Sequence, residues 1–341
     1  MRVNKALAGL VVIVLLLVGN APPTSGVADA TCRTNAGVDV QWVRVSPDKE
    51  RASIDRWCAG VGPPARISGG QRSEILTGSL AVVSWNVHVG AGDLDALVSD
   101  LRSGRLTGAP APEFVLLLQE AYRAGPDVPA LADVSWAAAE SPVGPDITPL
   151  DVVAAARRLG LSSVYVPSMR NGRPGVTQSD RGNAIVSTLP IAAVRAIELP
   201  LERQRRVAVD ATIQVPTRSG EIPLRIVNTH FTNMVMHHLW LLSESGRLRQ
   251  ARALARTLPR DGALIVGGDF NAWFGFHDAA YREMAAHGKP ADTEDRRATF
   301  GPLRLDHVLF RLPAGWRTTL RRADKKYGSD HYPLAAVVTI P

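Results

Sequence analysis

Seven short polar clusters, each at the end of an apolar run, hold most of the residues in this chain that can do chemistry. They are Ser84-Trp85-Asn86-Val87-His88, Gln119-Glu120, Arg181-Gly182-Asn183, Asn228-Thr229-His230, Gly268-Asp269-Phe270-Asn271, Leu305-Asp306-His307 and Gly328-Ser329-Asp330-His331-Tyr332-Pro333. Asn86, Glu120, Asp269, Asn271, Asp306 and Asp330 are hard oxygen donors of the kind Mg²⁺ takes, and Mn²⁺ accepts the same set. His230 and His331 handle protons near neutral pH. Arg181 and Asn183 offer donors to a phosphate. Oxygen ligands with histidine and arginine, and no serine or cysteine nucleophile among them, point to metal-assisted attack of water on a phosphate ester. Singly, each cluster also has a structural reading. Gly-Asp-Phe-Asn is good turn text, and a lone histidine is commonly a satisfied structural one.

The elements that must carry these clusters are short. Strands are expected over 80–87, 114–119, 164–166, 183–187, 207–213, 224–229, 263–267, 305–310 and 334–340, and helices over 94–101, 151–159, 243–258 and 278–287. That mixture implies mixed sheets covered by helices. Residues 124–150 contain five prolines and two glycines and read as a long surface loop.

The clusters and their order resemble the endonuclease/exonuclease/phosphatase superfamily, which includes deoxyribonuclease-like enzymes, abasic-site endonucleases, sphingomyelinases and inositol-polyphosphate phosphatases. Asn228-Thr229-His230, Gly268-Asp269-Phe270-Asn271 and Ser329-Asp330-His331-Tyr332-Pro333 carry it most specifically, over about 79–341. The resemblance implies an α/β (α+β) fold, a four-layer sandwich of two packed mixed β-sheets flanked by helices with the site at one rim. It makes Glu120 the principal metal ligand, with Asn86 and Asp330 nearby. Asp269 and Asn271 orient the water and the scissile phosphate. Asp306 holds His331, which acts as base or as phosphate-binding cation, and His230 contacts the phosphate or assists the leaving oxygen. The chain departs from several nucleases of the family at His88, where they carry an acidic residue. That puts a second carboxylate metal ligand in doubt.

The chain has 341 residues, 39 Lys+Arg against 32 Asp+Glu, and two cysteines. Two cysteines exclude a disulfide-dense scaffold and a Cys-rich metal site. Arg2 and Lys5, the apolar run 7–18 and Ala28-Asp29-Ala30 read as a secretory signal over 1–30. The apolar run is short of the roughly 20 residues that span a bilayer. Cleavage there leaves 37 basic and 31 acidic residues, a charge of +6. The protein is expected to be secreted, monomeric and without a permanent membrane span. In an oxidising compartment Cys32 and Cys58 are expected to pair, tying a 31–78 extension that precedes the 79–341 catalytic domain. A basic balance favours nucleic acid or anionic phospholipid as substrate. The run Arg311, Arg317, Arg321, Arg322, Lys325 and Lys326, the helix face Arg249, Arg252 and Arg256, and the aromatics Trp273, Phe274 and Phe276 are the candidate contacts. Three functions follow: a secreted nuclease, a phospholipid or phosphoinositide hydrolase, and a catalytically inactive binding module.

Overall fold

In the computed structural model the residues described are 39–69, 78–130, 147–172, 177–233 and 240–341. In chain order the strands are β1 (Gln41–Arg44), β2 (Ala65–Ile67), β3 (Ser79–Asn86), β4 (Phe114–Ala124), β5 (Ser162–Asn171), β6 (Ser179–Ser187), β7 (Ile191–Glu198), β8 (Val207–Thr217), β9 (Gly220–His230), β10 (Ala263–Asp269), β11 (Thr293–Glu294), β12 (Asp306–Arg311), β13 (Arg317–Arg322) and β14 (Leu334–Thr339). The helices are α1 (Arg51–Ala59), α2 (Leu94–Arg102), α3 (Val152–Arg158), α4 (Trp240–Ala255) and α5 (Ala279–Ala285). One sheet runs β1-β7-β8-β9-β10-β12 and the other β11-β13-β14-β3-β4-β6-β5-β2.

Side chains alternate across a strand, so an apolar strand can serve two cores at once. In β3, Leu80 and Val82 enter the core between the sheets, while Ala81, Val83 and Trp85 face outward. In β4, Val115 and Leu117 face in, and Phe114, Leu116 and Leu118 face out. Leu94, Leu97, Val98 and Leu101 of α2 cover that outer face. The outer face of the other sheet, with Val227, Leu264, Val266 and Leu309, is covered by Ala251 and Leu254 of α4 and Met284 of α5. Strands buried on both faces read as continuous apolar runs, which is why Leu80–Val83 and Phe114–Leu118 stand out in the sequence. The four-layer sandwich is therefore present. Asp93 and Asp151 start α2 and α3 by accepting from Ala96 N and Ala154 N, each at 2.9 Å.

The sequence expectation fails in informative places. The described part of the 31–78 stretch is woven into the sandwich. β1 pairs in parallel with β7 at an edge of one sheet, and β2 pairs antiparallel with β5 at an edge of the other. Buried polar contacts hold it there. Asp180 Oδ2 accepts from Gly62 N at 2.9 Å, and Arg123 bridges Asp180 and the Pro63 carbonyl. β7 was not expected, because Ile191, Val194 and Ile197 are spaced like a helix face. β13 was hidden in a charge run, although only Thr318 and Leu320 of its alternation are buried. The expected signal over 1–30, Cys32 and residues 131–146 of the long loop lie outside the described residues, and so does the expected Cys32–Cys58 bond; Cys58 itself is buried on α1. No described helix is long and apolar enough to cross a membrane.

Candidate active site

Strand register sets the site. Across β9, β10 and β12, His230, Asp269 and Asp306 are direct partners, so three chemically active side chains sit in one row at the rim. In the other sheet Asn86 of β3 is opposite Gln119 of β4, and Glu120 follows at a break in the β4–β6 register. Gln119 Nε2 donates to Asn228 Oδ1 at 2.7 Å, and Asn228 Nδ2 donates to the Leu118 and Ala184 carbonyls. This buried seam locks the two rows together. Asn86 Nδ2 donates across the sandwich to Asp269 Oδ2 at 3.0 Å. His331 enters from the loop before β14, with Ser329 Oγ donating to the Asn86 carbonyl at 2.6 Å and accepting from His331 N at 3.1 Å.

Backbone strain clusters here. His88, Val89, Glu120 and Asn271 have φ of 48°, 53°, 52° and 49°. Left-handed conformations are costly for non-glycine residues, most of all for a β-branched one, and such strain gathers at functional sites. Gly268 makes the row possible: at φ 150° a Cβ there would lie 1.8 Å from the Thr229 carbonyl oxygen.

Asp269 is the centre of the constellation. Its Oδ1 accepts from Asn271 N at 2.8 Å, and its Oδ2 lies 3.5 Å from His230 Nε2 and 3.9 Å from His331 Nε2. Burial, with Asp306 beside it, raises its pKa to about 6. His331 is buried, which works against its charge, but Asp306 Oδ2 at 2.8 Å from Nδ1 outweighs that and pushes it up to about 10. It is therefore an imidazolium at neutral pH. His230 goes the other way. Burial and the neighbouring Arg206 hold it well below its ordinary value. Arg206 Nη1 lies 3.3 Å from His230 Nδ1. A guanidinium has no acceptor atom, so Nδ1 accepts and the proton of the neutral ring sits on Nε2, toward Asp269.

A cavity of about 740 Å³ opens over these groups. Asn86, Glu120, Arg181, His230, Asp269, Asn271, Asp330 and His331 all line it. Asp306 lies behind His331. Asn183 lines a small side niche, and its Nδ2 donates to the Val207 carbonyl at 2.8 Å, so its amide also ties the two sheets. Asp330 is paired with His88 Nδ1 at 3.0 Å, and hydrogen bonding to Asp330 raises the His88 pKa. Ligand atoms of Asp269, Asp306 and His331 lie within 4.8 Å of one another. His331 Nδ1 faces Asp306 as a donor, however, so that nitrogen has no lone pair for an ion. Glu120 suits a cation better: it lines the cavity, and no described side chain or backbone donor holds its carboxylate.

Sequence reasoning missed Arg206 and Trp57, which lines the cavity from α1; His88, the departure from the family pattern, lines it too. Arg206 lay in the unremarkable run Arg203-Gln204-Arg205-Arg206. Several proposed contacts are otherwise engaged. Arg249 pairs with Glu50 and Glu202, and Arg252 with Glu283. Arg311 donates to backbone carbonyls of Gly262 and Pro259. Arg322 donates to the Ala298 carbonyl and lies 3.9 Å over the Tyr332 ring. Phe276 packs on Tyr281 and His307. Arg317, Arg321, Trp273 and Phe274 remain exposed.

Three of the solved structures that share this fold illustrate the likeness. An endonuclease/exonuclease/phosphatase from Beutenbergia cavernae DSM 12333 is 18% identical, with 77% of this chain and 72% of that chain covered and a TM-score of 0.50. The human Nocturnin catalytic domain, with bound sulfate anion, is 17% identical over 81% and 97%, also at 0.50. An endonuclease/exonuclease/phosphatase family protein from Leptotrichia buccalis C-1013-b is 14% identical over 76% and 100%, again at 0.50. No curated protein sequence matches. The model of the Endonuclease/Exonuclease/phosphatase family matches residues 83–331. Because that match runs through every predicted site residue from Asn86 to His331, the chain belongs to this family of phosphoesterases.

Proposed function

We propose that the protein is a secreted, divalent-cation-dependent phosphodiesterase acting on nucleic acid. The observation that carries the reading is Asp269, a buried carboxylate raised to about 6 between a neutral His230 and a charged His331. A carboxylate with that pKa is ionised at neutral pH yet basic enough to take a proton from water. As the water oxygen bonds to phosphorus, Asp269 accepts its proton. The ester P–O bond breaks, and the departing oxygen takes a proton from solvent. The imidazolium of His331 stabilises the charge growing on a phosphoryl oxygen, and His230 Nε2–H donates a neutral hydrogen bond. Asn271, held by its own Nδ2 donating to the Phe231 carbonyl at 2.9 Å, positions the phosphate.

Glu120 and Asn86, with Asp330 beside them, fit a hard cation such as Mg²⁺ or Mn²⁺. When bound, the ion neutralises phosphoryl oxygens. Nucleic acid is favoured by the charge of +6 after signal cleavage and by the exposed Arg317 and Arg321. The test is plasmid nicking beside hydrolysis of sphingomyelin and phosphoinositides, each with and without EDTA. EDTA-sensitive nicking that exceeds lipid turnover is expected. Preferential lipid hydrolysis, or full nicking after exhaustive chelation, would refute the reading.

A further inference from the structure

Arg181 and Arg206 are only 7% and 4% exposed, and both line the cavity. Arg181 Nε and Nη1 and Arg206 Nε have no hydrogen-bond partner. Burying a guanidinium with donors unmet costs several kcal/mol unless something arrives to accept from them. The two arginines also oppose each other. Burial first, and the like charge of Arg181 as well, push Arg206 down to about 10 against the opposing pull of Glu120 and Asp269. A protein seldom keeps such a pair for packing, since an apolar residue would fill the space without the penalty. Arg205, next in sequence, shows the structural alternative: its guanidinium is fully used on Glu198 and the Pro167 and Ser168 carbonyls.

Position separates this pair from the scissile phosphate. Arg206 faces the Nδ1 edge of His230, whereas Asp269 faces the Nε2 edge. The His230 ring therefore stands between Arg206 and Asp269. Beside them Arg181, Arg206, Glu120 and His230 enclose a niche of about 10 Å³, room for about one oxygen-sized group.

We propose that Arg181 and Arg206 form an anion subsite that takes the phosphate next to the one being cut, so that the substrate is a polynucleotide read at two consecutive backbone phosphates. This rests on the phosphodiesterase reading above. Two buried guanidiniums, each with an unmet donor, also repel a cationic headgroup such as choline.

The test uses the full-length protein and a short oligonucleotide with one cleavable linkage, in which the phosphate on either side is replaced in turn by a neutral methylphosphonate. Neutralising one flank is expected to lower kcat/KM about 10- to 100-fold, the range for a charge-assisted contact. The same replacement should cost Arg206→Gln little beyond the loss the variant already shows. A second readout is independent of turnover. Without substrate, Arg181→Met should melt at or above the wild-type temperature, because it removes an unmet buried charge; a structural arginine would give a clear fall. Equal wild-type rates on all three oligonucleotides, or a lower melting temperature for Arg181→Met, would overturn the subsite. So would faster turnover of phosphatidylinositol 4,5-bisphosphate than of the oligonucleotide. Absence of any phosphodiester cleavage by the wild type would instead defeat the underlying reading.

Discussion

At the scale of single residues, opposite protonation of two histidines around one carboxylate organises the site. Asp269→Asn keeps the shape of the side chain and removes the proton acceptor. His331→Ala removes the positive charge beside it. Each is expected to slow hydrolysis by about 10²–10⁴ while the fold is retained, measured as turnover beside circular dichroism and melting temperature. Asp306→Asn should cost less than His331→Ala, because the imidazole remains. The pKa values of about 6 for Asp269 and about 10 for His331 set a bell-shaped pH profile for kcat/KM, rising near 6 and falling near 10. Stability carries its own signature. The folded pKa of His331 lies above its ordinary 6.5, so its contribution is full below 6.5 and is lost as pH rises toward 10. His331→Asn should flatten that part of the stability curve, which denaturant titrations between pH 6 and 10 would show. That these residues gather at one rim was legible in the sequence because their types are demanding: few roles other than catalysis or capping suit Asp, Asn and His at so many strand ends. Arg206 was not legible. Four residues of Arg-Gln-Arg-Arg look alike until the fold sends one to Glu198 and another to His230.

At the scale of elements, the strand ends are fixed by contacts whose purpose is structural. Asn228 belongs to the Asn-Thr-His cluster, yet its three buried hydrogen bonds join β4, β6 and β9 rather than touch the cavity. Asn228→Ala removes all three of these buried hydrogen bonds and should destabilise by about 3 kcal/mol or more. Chemical denaturation would read this directly, and an unchanged midpoint would count against the seam. Gly268→Ala drives a methyl into the Thr229 carbonyl and must part β9 from β10. It should fail to accumulate as folded protein, or lose about 3 kcal/mol or more. The inner strands were legible from their apolar runs. β13 was not, because a strand with one exposed face wears its arginines outward and imitates a solvated charge run.

At the scale of the whole molecule, the N-terminal stretch contributes more than its sequence suggests. Trp42, Val43 and Val45 suggest a strand where β1 lies, but its pairing was not legible, because the partners are far along the chain: β1 meets residues near 197 and β2 residues near 164. Deleting residues 31–69 uncovers the edges of β7 and β5, and exposed edges invite aggregation. It also removes Trp57 from the cavity wall. The deletion is expected to aggregate or melt well below the full chain, as scattering and thermal melts would show. Salt dependence belongs to this scale too. Because Arg322 is tied to Ala298 and Tyr332, the free pair to neutralise is Arg317 and Arg321. Doing so should flatten the salt slope of nucleic-acid binding by up to about 2, one per lost phosphate contact.

The most direct measurement is single-turnover cleavage of a phosphodiester in supercoiled plasmid by wild-type protein and by Asp269→Asn, each with Mg²⁺ and after chelation, on samples with matching circular dichroism. Rapid cleavage by the wild type with Mg²⁺, none after chelation, and a loss of about 10² or more in the folded variant are the expected results. A folded Asp269→Asn protein that cuts at near wild-type rate would show that the chemistry is done elsewhere.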